Sequence, residues 1–361
     1  MKKTIKIGKY ILGHDRPAFI VAEISSNHQQ NFTAAENLIR AAKKAGADAV
    51  KMQTFTPDTI TLDSDKKYFW VDGENNPGIW KGQTFYNLYK KAFAPWEWHA
   101  PLQKLSQELG LEFFSSPFDI TAVEFLNQLN VPCFKIAAYE ATDIILLRAV
   151  AKTGKPIIIS VGFASLEEIE YSIKILREEG AKDIIVLHCT ASYKDKGSNS
   201  TTHLRTMLDM AERFDVLTGF SDNMGGMKIP ALAAAMGAVI VEKHLVLKHD
   251  EEIFDDRFSL DTEEFSEMVA LIRSQEEAIG TVVYGPRTPE EEHNKRFRRS
   301  LFASKNIKCG EKFTMDNVRS IRPADGLETK YIDDVLGKYA ASDIEFATPL
   351  SWELLRDQSD I

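Results

Sequence analysis

The sequence has little that would hold a fold together covalently. Its 361 residues include three cysteines, Cys133, Cys189 and Cys309, far apart and without the paired spacing of a metal site. They read as buried or free thiols in a reducing compartment. No apolar run reaches the roughly 18 residues that a membrane-spanning helix needs, so none is expected. The N-terminus is basic, but Lys6, Lys9 and His14 interrupt the apolar stretch of a signal peptide, and a cytoplasmic protein is expected. Basic charge is scarce overall: 44 Lys and Arg against 53 Asp and Glu leave a net charge of -9. That argues against a general nucleic-acid binder, which needs a basic face. It leaves room for a small anionic ligand held by a few well-placed cations. The sequence also lacks an H-E-x-x-H helix, low-complexity segments and any repeat beyond the alternation described next.

From Pro17 to about Gly280, short apolar runs alternate with amphipathic stretches. The runs cover residues 19–24, 47–52, 111–115, 133–137, 156–161, 183–188, 215–220 and 238–243. Each is β-branched or aromatic and bounded by Gly, Pro, Asn or Asp, as buried strands are. Between them lie helix-start signals: Thr33-Ala34-Ala35-Glu36 and Ser165-Leu166-Glu167-Glu168 both have the form of a capping box. Gly46, Gly110, Gly154 and Gly180 sit where helices should stop. About eight strand–helix units predict an α/β fold, a (β/α)8 TIM barrel over residues 1–280. A doubly wound open sheet is the alternative. It is weakened because Glu23-Ile24-Ser25-Ser26-Asn27-His28 stands where a G-x-G-x-x-G turn would follow the first strand.

One connection is too long. Residues 55–94, rich in Trp, Tyr, Asp, Asn and Gly, separate the second and third runs. A long insertion at the C-terminal face of a barrel reads as a lid or specificity loop. Past Gly280 a charged stretch, 281–299, reads as a linker. Short strands are then expected at 300–302, Phe313, 318–321 and Pro349-Leu350, forming a small β-rich domain over 300–361. A domain of that size needs packing against something else.

Barrel enzymes carry their chemistry at the C-terminal ends of the strands. Here the first run ends in Glu23, the second carries Lys51 and Gln53, the third ends in Ser115-Ser116, the fourth in Lys135 and the fifth in Ser160. The sixth ends in His188 and Thr190, with Ser192 and Tyr193 beyond; the seventh in Ser221-Asp222-Asn223; the eighth in Glu242-Lys243-His244. Strand ends are often polar simply because they meet water, and a histidine such as His28, His188 or His244 is more often a structural hydrogen-bonder than a ligand. Lys51 and Lys135 differ, because each lies inside an apolar run. A lysine there is desolvated unless it meets an anion. Two lysines and three serines on one rim suit a carboxylate and a phosphate on one small ligand. Glu23 and Glu140 are candidate acids, bases or hydroxyl acceptors; Glu140 reads equally well as a helix N-terminal charge.

In chain order, FIVAEISSN (19–27), VKMQT (50–54), FSSPF (114–118), the segments 134–136, 160–162, 188–190 and 219–222, and VEKH (241–244) resemble the strand-end motifs of the sialic acid synthase family. Residues 300–350 resemble that family's antifreeze-like (SAF) domain, so the resemblance covers nearly the whole chain. It implies a homodimer in which each antifreeze-like domain caps the partner's barrel, and a divalent metal, manganese or magnesium. It also implies a reaction. C3 of phosphoenolpyruvate attacks the aldehyde of an open-chain acylamino sugar, water adds at C2, and phosphate leaves by C–O cleavage. By motif match, Lys51 and Ser221 hold the phosphoenolpyruvate carboxylate, and Ser116, Lys135 and Ser160 its phosphate. Glu23 is the acid/base near the reacting carbons. Glu140, Tyr193 and Asp255 contact sugar hydroxyls or bound water. Arg322 is the partner-domain arginine whose planar fork reads the acylamino group. His244 is a metal ligand.

Three positions depart from the family pattern. Asn223 stands where a second metal-binding histidine is usual, Ala138 where a phosphate-contacting serine is expected, and Ala191 where an asparagine follows the sixth strand. The metal set is thus His244 with Asn223. Trp80-Lys81-Gly82, the Pro95–His99 segment and NKRFRRSLF (294–302) look most like the pseudaminic acid synthase branch, whose sugar is a 6-deoxy-diacetamido hexose. N-acetylneuraminate or legionaminic acid synthesis is the alternative within the family. Outside it, the rivals are a Schiff-base aldolase using Lys135 or Lys51 and a sugar-binding protein that has lost catalysis, to which Asn223 would point.

Overall fold

The computed structural model describes residues 3–71, 78–194 and 199–360, the side chains of 191–199 and of 360 excepted. The chain divides into two compact units, Met1–Gly280 and Thr281–Ile361.

The first unit opens with an antiparallel hairpin, β1 (Ile5–Ile7) and β2 (Tyr10–Leu12). The Tyr10 ring lies edge-on to Phe19 with centroids 5.0 Å apart, and the Lys9 amide donates to Glu112. Phe19 and Glu112 are each the first residue of a strand, so the hairpin sits at the N-terminal end of the barrel, away from the strand ends that carry chemistry.

All eight apolar runs are strands: β3 (Phe19–Glu23), β4 (Ala49–Thr54), β5 (Glu112–Pro117), β6 (Phe134–Ile136), β7 (Ile157–Ser160), β8 (Ile184–Lys194), β9 (Leu217–Met224) and β10 (Ile240–His244). Neighbours pair in parallel, and β10 pairs with both β9 and β3, which closes the ring and rules out the open sheet. Covered on both faces, such strands are apolar throughout rather than alternating; β3 is buried at all five positions.

The helices are α1 (Phe32–Lys44), α2 (Pro57–Ile60), α3 (Phe85–Ala92), α4 (His99–Glu108), α5 (Ile120–Gln128), α6 (Ile144–Ala151), α7 (Leu166–Glu178), α8 (Arg205–Phe214), α9 (Lys228–Ala235) and α10 (Thr262–Ile279). The capping box of α7 forms as expected: Glu168 N donates to Ser165 Oγ at 3.3 Å and Ser165 N to Glu168 Oε2 at 2.7 Å. The box expected at Thr33 does not form. Asn31, a stronger N-cap than threonine, takes that role by accepting from Ala34 N at 3.1 Å, which places Thr33 inside the first turn of α1. Gly46, Gly110, Gly154 and Gly180 follow α1, α4, α6 and α7 with φ between +69° and +97°, the left-handed turn that ends a helix. The long insertion contains α2 and α3, so it is not a bare loop.

In the second unit, α11 (Pro289–Asn294), capped by Thr288, lies within the charged stretch. It is followed by β11 (Ser300–Ala303), β12 (Val318–Ile321), α12 (Ile332–Val335), β13 (Tyr339–Ala340) and β14 (Leu355–Arg356), with β11–β12 and β13–β14 antiparallel. Phe313 and Leu350 are not in strands as expected. They are core residues beside Leu301, Ile307, Val318 and Ile344. In so small a unit, irregular segments supply much of the buried apolar surface, and single bridges such as Phe302 to Pro349 replace ladders.

Candidate active site

Strand register assembles the site. His244, Glu23 and Lys51 lie side by side on β10, β3 and β4, and Ser221 on β9 lies beside Glu242 on β10. These residues sit at or near the C-terminal ends of their strands. With Lys135, Ser160 and Asn223 they line one cavity of about 590 Å³, a volume typical of small-molecule sites.

Its floor is ionic. Lys51, only 4% exposed, pairs with Glu23 and with Glu242 Oε1 at 3.2 Å, and its Nζ lies 3.4 Å from Ser116 Oγ. Lys135, 2% exposed, faces the same Glu242 oxygen at 3.5 Å, and its Nζ donates to the Ile136 carbonyl at 3.3 Å. Ser221 Oγ donates to Glu242 Oε1 at 3.0 Å. One carboxylate oxygen thus serves two ammonium groups and a hydroxyl. Burial acts against the charge on Lys51, but Glu23 and Glu242 together outweigh it and raise its pKa. For Lys135 burial wins over Glu242, and its pKa is lowered. Lys135 is therefore the under-compensated cation of the floor. The Ser160 hydroxyl, buried beside the cavity, has no hydrogen-bond partner among the described residues.

Two carboxyls are poised near neutrality. Burial pushes Glu23 up to about 6 against the pull of Lys51, while its Oε1 accepts from Ser25 N at 2.7 Å. Burial pushes Glu140 up to about 7 against the pull of Lys135, and Glu140 Oε2 has no hydrogen-bond partner among the described residues. Next to Glu23 along the wall, Asp255 accepts from Ser25 Oγ and from Ser26 Oγ at 3.1 Å, and Gln53 Nε2 donates to Ser25 Oγ at 2.8 Å. Above the floor the wall turns apolar: Phe55, Val71, Phe85 and Leu88 from the insertion, with Phe118 and Phe254. The Trp80 indole donates to the Phe254 carbonyl at 3.1 Å, fastening the insertion to the loop after β10.

The residues fit a divalent cation. Burial, reinforced by Lys51, lowers the His244 pKa to about 3, so the imidazole is neutral, and its buried Nδ1, 3.9 Å from Asp255 Oδ2, has no hydrogen-bond partner among the described residues. Asn223 Nδ2 donates to Cys189 Sγ at 3.5 Å, leaving its amide oxygen as the donor for a cation. His28 and His188 do not line this cavity: His28 Nδ1 accepts from Gln30 N at 3.0 Å, and His188 Nε2 meets the Thr202 carbonyl at 2.5 Å. A second group of cation-binding composition, His249, Asp261 and Glu264, has donor atoms within 4.8 Å of one another. Its carboxylates are already engaged in capping α10.

The structure therefore gathers Glu23, Lys51, Lys135, Glu140, Ser160, Ser221, Asn223, His244 and Asp255 on one cavity, with Ser116 against Lys51. The side chains of Tyr193 and Ala191 lie outside the described residues. Arg322 belongs to the second unit, where it is exposed. Sequence reading missed Glu242. It appears there only as a strand-end acid; its place between two buried lysines of β4 and β6 comes from closure of the barrel, which local sequence does not show.

Buried lysines and near-neutral carboxyls thus meet in one cavity at the strand ends of a closed barrel, where barrel enzymes carry their chemistry. The NeuB family model matches residues 38–284 and the SAF domain model matches residues 298–356. The chain belongs to the NeuB family and carries a SAF domain. It is 42% identical to a pseudaminic acid synthase of Campylobacter jejuni over 93% of this chain and 96% of that protein. It is 39% identical to a pseudaminic acid synthase of Helicobacter pylori, over 93% of this chain and 97% of that one. Among solved structures, the N-acetylneuraminic acid synthetase of Leptospira borgpetersenii, in complex with citrate, superposes with a TM-score of 0.70 at 28% identity, covering 81% of this chain and 95% of that one.

Proposed function

We propose that this protein is a pseudaminic acid synthase: it condenses phosphoenolpyruvate with a 6-deoxy-diacetamido hexose and releases phosphate. The observation that carries the reading is the cavity floor, where Lys135 is buried with a single shared carboxylate partner. An anion that brings several negative charges to that floor relieves the cost of keeping Lys135 charged. Phosphoenolpyruvate does so with a carboxylate and a phosphate on three carbons.

In this reading Lys51 and Ser221 bind the carboxylate, and Ser116, Lys135 and the unpartnered Ser160 the phosphate. Ala138 adds no hydroxyl there, so Ser160 and Lys135 carry more of that load. C3 of phosphoenolpyruvate attacks the sugar aldehyde carbon, forming the new C–C bond. Water adds at C2, and the C2–O bond breaks with departure of phosphate. Glu23, with a pKa near 6, takes and returns a proton beside the reacting carbons. Glu140 and Asp255, with Tyr193, orient sugar hydroxyls and water. The aromatic and aliphatic wall from the insertion takes the methyl groups of the sugar. His244 and Asn223 would hold a manganese or magnesium ion, which would supply Lewis-acid stabilisation of charge developing on the aldehyde oxygen. Oxygen donation from an amide suits such hard cations better than zinc. The 300–361 domain caps the barrel of a second copy and brings Arg322 to the acylamino group.

The test is phosphate release from phosphoenolpyruvate with a panel of acylamino sugars. Turnover fastest with the 6-deoxy-diacetamido hexose supports the assignment. Preference for N-acetylmannosamine, or for the precursor of legionaminic acid, reassigns the branch. The lowered pKa of Lys135 also favours a second reading, a Schiff-base lysine; borohydride inactivation in the presence of a keto acid would support it.

A further inference from the structure

The loop that brings Asp255 to the cavity meets α10 through the His249 imidazole and through Thr262 Oγ1, which donates to the Leu247 carbonyl at 3.3 Å. It runs between β10 and α10 and includes residues 245–260. His249 Nδ1 lies 2.8 Å from Asp256 Oδ1, and Nε2 lies 3.0 Å from Glu264 Oε2. Asp256 belongs to the loop and follows Asp255 directly. Its Oδ1 also accepts from Asp250 N at 3.1 Å, so the turn gathers on that atom. Glu264 lies in the first turn of α10, where its Oε2 accepts from Asp261 N at 3.1 Å. A neutral imidazole donates through one nitrogen and presents a lone pair at the other. Between two carboxylates, both nitrogens are satisfied only when the ring is an imidazolium. Asp256 from its own loop and Glu264 and Asp261 from α10 face it, all three acidic.

We propose that His249 is a positioning residue for the sugar: as an imidazolium it clasps the 245–260 loop to α10 and so holds Asp255 at the cavity wall. This rests on the reading of Asp255 as a sugar contact. Partial burial opposes the charge, but the hydrogen bonds to Glu264 and Asp256 outweigh it, and the His249 pKa is raised above 6.5. For a raised histidine pKa the clasp is fully present below the ordinary value and is lost as pH rises through the folded value.

The test compares wild type, His249→Ala and His249→Lys, whose ammonium reaches the same carboxylates without titrating near neutrality. In His249→Ala the KM for the sugar rises roughly three- to tenfold, the scale of two partly exposed ion pairs. The KM for phosphoenolpyruvate and kcat stay within about twofold. Between about pH 6 and pH 9 the wild-type sugar KM climbs by a similar factor beyond that of His249→Lys, a variant in which Glu140 still titrates but the clasp does not. Hydrogen–deuterium exchange at pH 7 reads the clasp without turnover. The peptide spanning 245–260 exchanges faster in His249→Ala and at the wild-type rate in His249→Lys. Unchanged exchange in His249→Ala, or a sugar KM that ignores both pH and the substitution, overturns the proposal. If no sugar supports phosphate release, the functional reading fails and the exchange data still decide the clasp.

Discussion

Replacing Lys135 by methionine keeps most of the side-chain volume and removes one charge from the cavity floor. The structure separates two consequences that usually travel together. Stability should hardly change, because Glu242 keeps Lys51 at 3.2 Å and Ser221 at 3.0 Å, and the charge removed is the one that burial leaves under-compensated. Removing one partner of a buried pair costs about 3–5 kcal/mol when it strands the other charge; Glu242 is not stranded here, so a loss of about 1 kcal/mol or less is expected. Binding of phosphoenolpyruvate should suffer. A charge-assisted contact contributes about 1.5–3 kcal/mol, which corresponds to a roughly ten- to hundredfold loss of affinity. Lys51→Met is the control. It leaves Glu23 without its ammonium partner, while Glu242 keeps Lys135 and Ser221, and should destabilise the fold by about 3–5 kcal/mol. Denaturant titration measures the first quantity, and calorimetric titration with phosphoenolpyruvate the second. Unchanged phosphoenolpyruvate affinity in Lys135→Met, or destabilisation equal to that of Lys51→Met, would refute the assignment of the floor.

Other expectations follow from the same geometry. Because burial raises the Glu140 pKa from 4.5 to about 7, the folded state holds that proton more tightly than the unfolded chain. Its contribution to stability is present below pH 4.5 and falls as pH rises toward 7. Glu140→Gln should remove part of that fall, at most about 3 kcal/mol, as read by urea denaturation at pH 5 and pH 8. Stripping divalent metal should abolish turnover, and manganese or magnesium should restore it. Asn223→His should tighten the metal, and His244→Ala should lose nearly all activity; full activity of His244→Ala in excess chelator would remove the metal role. If the C-terminal domain caps the partner's barrel, mixing Arg322→Ala chains with Glu23→Gln chains, each inactive alone, should restore part of the activity; confirmed mixed dimers without recovery would count against that arrangement.

The barrel was legible because its strands are buried on both faces and so stand out as apolar runs such as Ile157–Ser160. The lysines were legible for the complementary reason: a cation inside such a run demands an explanation. The hairpin β1–β2 escaped notice because three-residue strands containing Lys6 and Ile11 carry no periodicity that outweighs chance. Thr33 misled because two adequate caps lie two residues apart, and only backbone geometry chooses between them. Glu242 and Lys243 are neighbours of opposite fate. One joins the cavity floor, while the other is fully buried against Asp222 at 2.9 Å. Alternation along a strand decides which faces inward, and the local sequence offers no sign of the phase.

The account's central claim is that the cavity joins phosphoenolpyruvate to an acylamino sugar with C–O cleavage. The most direct measurement uses phosphoenolpyruvate labelled with oxygen-18 at the bridging oxygen, incubated with the 6-deoxy-diacetamido hexose and manganese and followed by mass spectrometry. The account predicts a nine-carbon keto acid without label and phosphate carrying the label. Label retained in the acid, or free pyruvate with no nine-carbon product, would contradict it.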